Sequence, residues 1–140
     1  MRNLHIALAL CLGLPTGALA EATPSPPGAR VYFIEPADGA VLTNPVRIRF
    51  GLQGMGVAPA GVEAENTGHH HLLLDVDPDE IAFEDPLPSD DRFRHFGGGQ
   101  TETVIDLPPG AHTLQLLLGD HVHTPHGSPV ISERITVTVR

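Results

Sequence analysis

Cysteine is nearly missing from this chain of 140 residues, and the one present, Cys11, lies in the N-terminal leader. Past that leader there is no disulfide, cysteine nucleophile, zinc-thiolate site or blue-copper centre to consider. Lysine is absent altogether, and beyond residue 20 seven Arg face seventeen Asp and Glu, a net charge of −10. Such a balance disfavours nucleic acid and anionic membrane as partners and attracts cations mildly. Long apolar runs are lacking as well. The leader's run, residues 4–14, is broken by His5 and Gly13 and falls short of the ~20 residues a membrane span takes. No stretch sustains a helical period for three turns, which argues against a helical fold.

What the leader does have is a tripartite export pattern: Arg2, the short apolar run, then Ala18-Leu19-Ala20. That is the shape of a secretory signal cleaved after Ala20, giving a periplasmic or secreted product. Leu10, directly before Cys11, is larger than lipid-anchor processing usually accepts. Residues 21–29, rich in proline, read as a spacer, and residues 30–140 as a single domain. A chain of this size hides roughly two-thirds of its unfolded surface on folding, enough for a core without staples.

Frequent Pro and Gly punctuate short runs of alternating apolar residues, the signature of an all-β fold. Strands are expected at 31–35, 46–52, 69–76, 101–107, 111–118 and 130–139. In the second, Val46, Ile48 and Phe50 point inward and Arg47 and Arg49 outward; in the fifth, His112, Leu114, Leu116 and Leu118 share a face. The Pro-Gly corner before His112 resembles the turn between the fifth and sixth strands of immunoglobulin-type domains, where tyrosine is usual. An immunoglobulin-like β-sandwich of about seven strands is the expectation. Two connections, 53–68 and 77–100, are too long for tight hairpins, and ordered long loops are where function usually sits.

Chemistry concentrates in histidine. Of the eight histidines beyond the leader, seven fall in three blocks: His69-His70-His71, His95, and His121-Val-His123-Thr-Pro-His126 preceded by Asp120. Imidazole suits copper, zinc and nickel, and two His at i and i+2 on a strand grip one ion from the same side. His121 and His123 have that spacing and are expected as primary ligands. His126, His95, His69 or His71 complete the set if the loops converge, and Asp120 serves as ligand or as an acceptor that orients an imidazole. Against this stands the ordinary role of histidine as a packing and hydrogen-bonding residue, expected above all for His112. Three successive strand residues cannot all face one site, so His69, His70 and His71 must divide. Gly97-Gly98-Gly99 lacks the continuation of a phosphate loop and reads instead as a backbone bulge or a close approach of another segment. Met55, between two glycines, is either a thioether donor or a plug at the sandwich end.

Five segments carry a family resemblance: Tyr32-Phe-Ile-Glu-Pro-Ala-Asp-Gly, Gly54-Met-Gly-Val-Ala-Pro-Ala-Gly, Thr67-Gly-His-His-His-Leu-Leu, His95-Phe-Gly-Gly-Gly-Gln-Thr-Glu and Leu114-Gln-Leu-Leu-Leu-Gly-Asp-His. Together they resemble the DUF4399 family of small exported bacterial proteins, over nearly the whole mature chain. The resemblance implies one exported domain and no particular reaction. Many members of the family carry a further histidine two residues before the position of His95, where Phe93 stands here. The function expected is metal carriage or buffering by a periplasmic protein, with copper favoured and zinc possible. The alternative is a non-catalytic envelope module, reading another envelope protein, whose histidines only pack and hydrogen-bond. An enzyme is not expected, because nothing beyond the same histidines resembles a general acid or base. Clustering of ligand nitrogens from two blocks favours the first reading, and dispersal favours the second.

Overall fold

The structure, a computed structural model, describes residues 22–140. The expected signal and its cleavage site lie outside the described residues. Nine strands are present among these: β1 (Arg30–Glu35), β2 (Val41–Leu42), β3 (Val46–Gln53), β4 (Gly56–Val57), β5 (Thr67–Leu74), β6 (Phe93–His95), β7 (Glu102–Ile105), β8 (Gly110–Gly119) and β9 (Ile135–Val139). One 3-10 turn at Pro78–Glu80 is the only helical piece described. No helix among the described residues is long and apolar enough to cross a membrane.

The strands form two sheets. β1, β3 and β7 make an antiparallel sheet in the order β1-β3-β7, and the larger sheet runs β2-β9-β8-β5-β4 with β6 also paired to β5. Alternation dictates how they pack. Val46, Ile48 and Phe50 of β3 are buried, with Arg47 and Arg49 exposed between them, as a period of two requires. From the facing sheet Leu72, Leu114, Leu116, Leu118 and Val137 complete the inter-sheet core. This is the β-sandwich expected, and Met55 packs against its core as a plug. The immunoglobulin-like refinement rests on the corner alone, where the His112 ring reaches the Pro108 carbonyl at 2.8 Å.

β8 is buried on both faces. Leu117, pointing away from the inter-sheet core, joins Leu73, Val76, Ile81, Leu87 and Phe93 in a second cluster on the outer face of the large sheet. The long connection 77–92 supplies part of that cluster, so β5 is covered on both sides and every residue from Gly68 to Leu73 is buried. Strand ends differ from expectation for local reasons. β5 stops at Leu74 because Asp75 adopts a positive φ of 52° and turns its carboxylate onto His112 and the Thr113 amide. Of 130–139 only β9 is strand; residue 131 makes a lone bridge to Leu117. β2, β4 and β6 are two or three residues long, too short for any alternation to reveal.

Candidate metal centre

The period of β5 divides its three histidines. His70 faces the inter-sheet core, where its ring lies 5.1 Å from that of Phe50. His69 and His71 face outward, beside the second apolar cluster. β6 pairs with β5 in a register that sets His95 opposite His71, bringing a second block of sequence to the same face. On the other flank, His69 lies opposite Gly119, the last residue of β8. From there the chain folds back on itself: the Asp120 amide donates to the Thr124 carbonyl at 2.8 Å and the His123 amide to the Asp120 carbonyl at 3.0 Å. His123 takes a left-handed φ of 69°, uncommon for a residue with a side chain, and its ring closes over the outward histidines.

His69, His71, His95 and His123 therefore each offer a ring nitrogen to one point, with all four atoms within 4.8 Å of one another. His69 Nε2 lies 3.1 Å from His95 Nε2 and 3.2 Å from His123 Nδ1. Four imidazoles bound tetrahedrally to one ion at 2.0–2.1 Å would hold their nitrogens roughly 3.3–3.4 Å apart. The two pairs that His69 makes are therefore near coordination spacing, and the whole set lies within 4.8 Å. His69 and His71 are fully buried, while His95 and His123 form a half-exposed rim. The chemistry of the donor set, all nitrogen and no sulfur, fits copper(II) or zinc.

Electrostatics keeps these donors in their binding form. Burial pushes His71 down to about 3, with the neighbouring His69, His95 and His123 rings adding to the effect. His69 falls to about 4 for the same reasons, burial first and then His95 and His123. His95 is lowered by burial and by His123. A metal must displace no proton from a neutral imidazole nitrogen that is free, and at neutral pH these rings are neutral.

Two glycines make room for the rings. A Cβ on Gly97 would lie 2.3 Å from His95 Cε1, and one on Gly119 would lie 2.7 Å from His71 Cε1. The close approach of another segment expected at the triple glycine is that of Ala60, whose Cβ would lie 3.1 Å from one on Gly97, and the His95 ring of the same segment crowds it further. The two long loops meet here as well: the Ala60 amide donates to the Gly97 carbonyl at 2.8 Å, the Gly61 amide to His121 at 2.9 Å and the Leu87 amide to His123 at 2.9 Å.

Three residues expected as ligands are not brought to the cluster. His121 is half-buried on the wall of a neighbouring cavity of about 520 Å³, shared with Thr23, Glu63, Glu65, Thr67 and Asp120. Because residues 120–126 form a turn and not a strand, spacing of i and i+2 does not put His121 and His123 on one side. His126 is buried, with Nε2 donating to the Thr67 carbonyl at 3.2 Å. Asp120 spends both carboxylate oxygens elsewhere: Oδ1 accepts the Val122 and Thr124 amides at 3.0 and 2.9 Å, and Oδ2 accepts the Thr23 hydroxyl at 2.6 Å. Burial, the largest single effect on Asp120, would raise its pKa, but those hydrogen bonds together outweigh it and lower it. It accepts from two loop amides and a hydroxyl and from no imidazole, so it shapes the loop that carries His123 and orients no ring directly. The four donors are complete without a histidine at position 93, where Phe93 packs in the second apolar cluster.

His112 behaves as the packing histidine it was expected to be. Its Nδ1 lies 2.7 Å from Asp75 Oδ2 and its Nε2 2.8 Å from the Pro108 carbonyl. Both neighbours only accept, so the doubly protonated ring alone satisfies both, and the Asp75 hydrogen bond raises its pKa.

No match was found among curated proteins or among solved structures. The family model described as a domain of unknown function, DUF4399, matches residues 48–140, a span that begins within β3 and contains all four clustered histidines. The chain belongs to the DUF4399 family.

Proposed function

We propose that this protein is a periplasmic metal-binding protein that carries or buffers copper, with zinc the second choice, through His69, His71, His95 and His123. The observation that carries the proposal is convergence: nitrogens from three separate blocks of sequence lie within 4.8 Å of one another. A module whose histidines merely pack would have no reason to gather four imidazole nitrogens so closely. Copper(II) stands highest in intrinsic affinity for such nitrogen sites among the divalent first-row ions. The rim formed by His95 and His123 leaves one side open for loading and release. Export is supported by the leader's tripartite pattern. Carriage without turnover is favoured because all four donors are protein side chains, whereas catalytic sites usually keep a position for water or substrate.

Calorimetric titration of the metal-free, tag-free mature protein with Cu(II), and separately with Zn(II), tests the reading. Replacing His69 or His123 with Ala should weaken binding by at least about a hundredfold, since losing a ligand exceeds the 10–100-fold typical of losing an outer partner. Replacing His121 or His112 should change it little. Equal losses for His121 and His123 would refute the four-ligand assignment. A parent no tighter than a histidine-containing peptide would refute metal binding altogether. Elemental analysis of the protein purified from its native compartment would then name the ion.

A further inference from the structure

His123 is the one ligand delivered by an irregular loop, and that loop is held from outside by the start of the domain. The Thr23 hydroxyl donates to Asp120 Oδ2 at 2.6 Å, the Gly127 amide donates to the Thr23 carbonyl at 2.9 Å, and the Ser25 hydroxyl donates to the Ser128 carbonyl at 2.7 Å. The strap formed by residues 22–25 thus grips the loop at its first residue and just beyond its last histidine. Between those grips, Asp120 Oδ1 gathers the amides of Val122 and Thr124, the two neighbours of His123. The left-handed φ of His123 is a strained conformation for a residue with a side chain, one that a loose loop would leave. Besides the strap and Asp120, the loop is tied by the Gly61 amide to the His121 carbonyl, by the Leu87 amide to the His123 carbonyl and by the bridge between Gly119 and Pro125. Of all these ties, only those of Asp120 reach the amides of His123 and its two neighbours.

We propose that residues 22–25 are a latch on the metal site, with Thr23 and Asp120 as positioning residues that aim His123 at His69. The inference rests on the metal reading above for its purpose and on the hydrogen bonds alone for its mechanics. Its consequence is regulatory. Peeling the strap away frees His123 and leaves a three-histidine site of lower affinity, so any envelope protein that grips the N-terminal segment promotes metal release. Reciprocally, a bound metal must tighten the strap by the same factor, because coupling between two sites is mutual.

The test uses Thr23→Val, which removes the hydroxyl and keeps the Thr23 carbonyl, with Thr23→Ser as the rescue. Amide exchange of the metal-free protein comes first. Thr23→Val should speed exchange at Val122 and Thr124, and Thr23→Ser should restore it. Unchanged exchange overturns the latch whatever the metal does. Cu(II) titration comes second. A charge-assisted hydrogen bond at a part-buried site is worth about tenfold in an equilibrium constant, so Thr23→Val should weaken the parent by about tenfold. Electron paramagnetic resonance should show one coordinated nitrogen fewer in part of the population. In a His123→Ala background the same substitution should have no effect. An equal loss in both backgrounds would mean a general effect on the fold and would overturn positioning. If exchange responds while the parent binds no metal, the loop latch stands and the metal reading falls.

Discussion

Two histidine environments at opposite ends of β5 are built on contrary principles. At its C-terminal end, His112 sits between the Asp75 carboxylate and the Pro108 carbonyl, two acceptors that favour its charged form and raise its pKa. At its N-terminal end, His69 and His71 meet mainly other imidazoles in a buried pocket, which favours their neutral form and takes them to about 4 and about 3. The first arrangement uses histidine as a structural cation, with both nitrogens consumed. The second sets imidazole nitrogens against one another, His69 Nε2 facing both His95 Nε2 and His123 Nδ1. Any lone pair there not met by an N–H lacks a donor, an arrangement that costs stability unless something cationic fills it. Burial comes first in lowering His69 and His71, with the neighbouring imidazoles adding to it, while at His112 the Asp75 hydrogen bond comes first and burial only opposes it.

Acid offers the harshest way to break this comparison. A buried imidazole whose folded pKa lies below its unfolded value of about 6.5 costs nothing above that value, where both states are neutral. Below it the unfolded chain takes up a proton that the folded chain refuses, so stability falls until the pH reaches the folded pKa. One pKa unit is about 1.36 kcal/mol. His71, lowered to about 3, and the core ring His70, lowered to about 4 by burial with only the Gln100 backbone opposing, therefore each cost several kcal/mol by pH 4. With His69 they rival the whole stability of such a domain, about 5–15 kcal/mol. Metal-free protein should begin to unfold between pH 6 and pH 4, roughly, followed by circular dichroism, and saturating Zn(II) should shift the midpoint downward. A metal-free midpoint below about pH 3 would mean these rings protonate in place. The same lowering at His69, His71 and His95 moves the loss of metal affinity below the vicinity of 6.5 expected of free imidazole.

A gentler intervention acts on the cluster without touching any ligand. Gly97→Ala would put a methyl carbon 2.3 Å from His95 Cε1. The obstacle is the end of a half-exposed side chain, so the ring should swing away at little cost to the fold. Moved out of coordination spacing, His95 should contribute less, and Cu(II) affinity should fall about tenfold, the low end of losses for disturbing a ligand's support. Unfolding midpoints should stay within about 1 kcal/mol of the parent. An unchanged affinity would remove His95 from the ligand set. The corresponding change at Gly119, by contrast, meets the buried His71 ring at 2.7 Å and the His123 backbone at 3.4 Å, where neither neighbour yields easily.

How much of this was legible in the sequence follows from the same contrast. Strand alternation exposed the inward faces of β3 and β8, because period two is a property of local geometry. It also foretold that His70 must part from His69 and His71. The density of histidine marked the right three blocks, and the long loops marked the segments that would surround them. Choosing among His121, His123 and His126 was beyond it. That choice depends on a single left-handed residue and on a carboxylate that gathers two amides, and neither has a repeat or a spacing to read. The setting of His95 opposite His71 depends on a three-residue strand, whose register is fixed by Phe93 packing under the 77–92 segment. Tertiary contact decides such short pairings.

The smallest expected effect belongs to His112 and tests the other half of the comparison. A histidine with a raised folded pKa adds stability that is fully present below its unfolded value and is lost as pH rises through the folded one. Asp75 is the main cause of that rise, with burial opposing and the Pro108 carbonyl assisting. His112→Ala should therefore cost about 1–3 kcal/mol near pH 6, the usual penalty for removing a partner in a charge-assisted hydrogen bond. Toward alkaline pH the cost should shrink, because the parent ring gives up its proton as pH rises through the folded value and one of its two acceptors is then no longer satisfied. Urea unfolding of parent and variant near pH 6 and at alkaline pH measures the difference directly, and the acid sensitivity of the cluster cancels because both proteins share it. Cu(II) affinity should be the same in the two, since His112 lies outside the four-histidine group. A penalty that does not shrink with pH would show that packing and not charge holds the corner. A loss of metal affinity would show that the two ends of β5 are coupled, and the separation of structural cation from neutral donor would no longer hold.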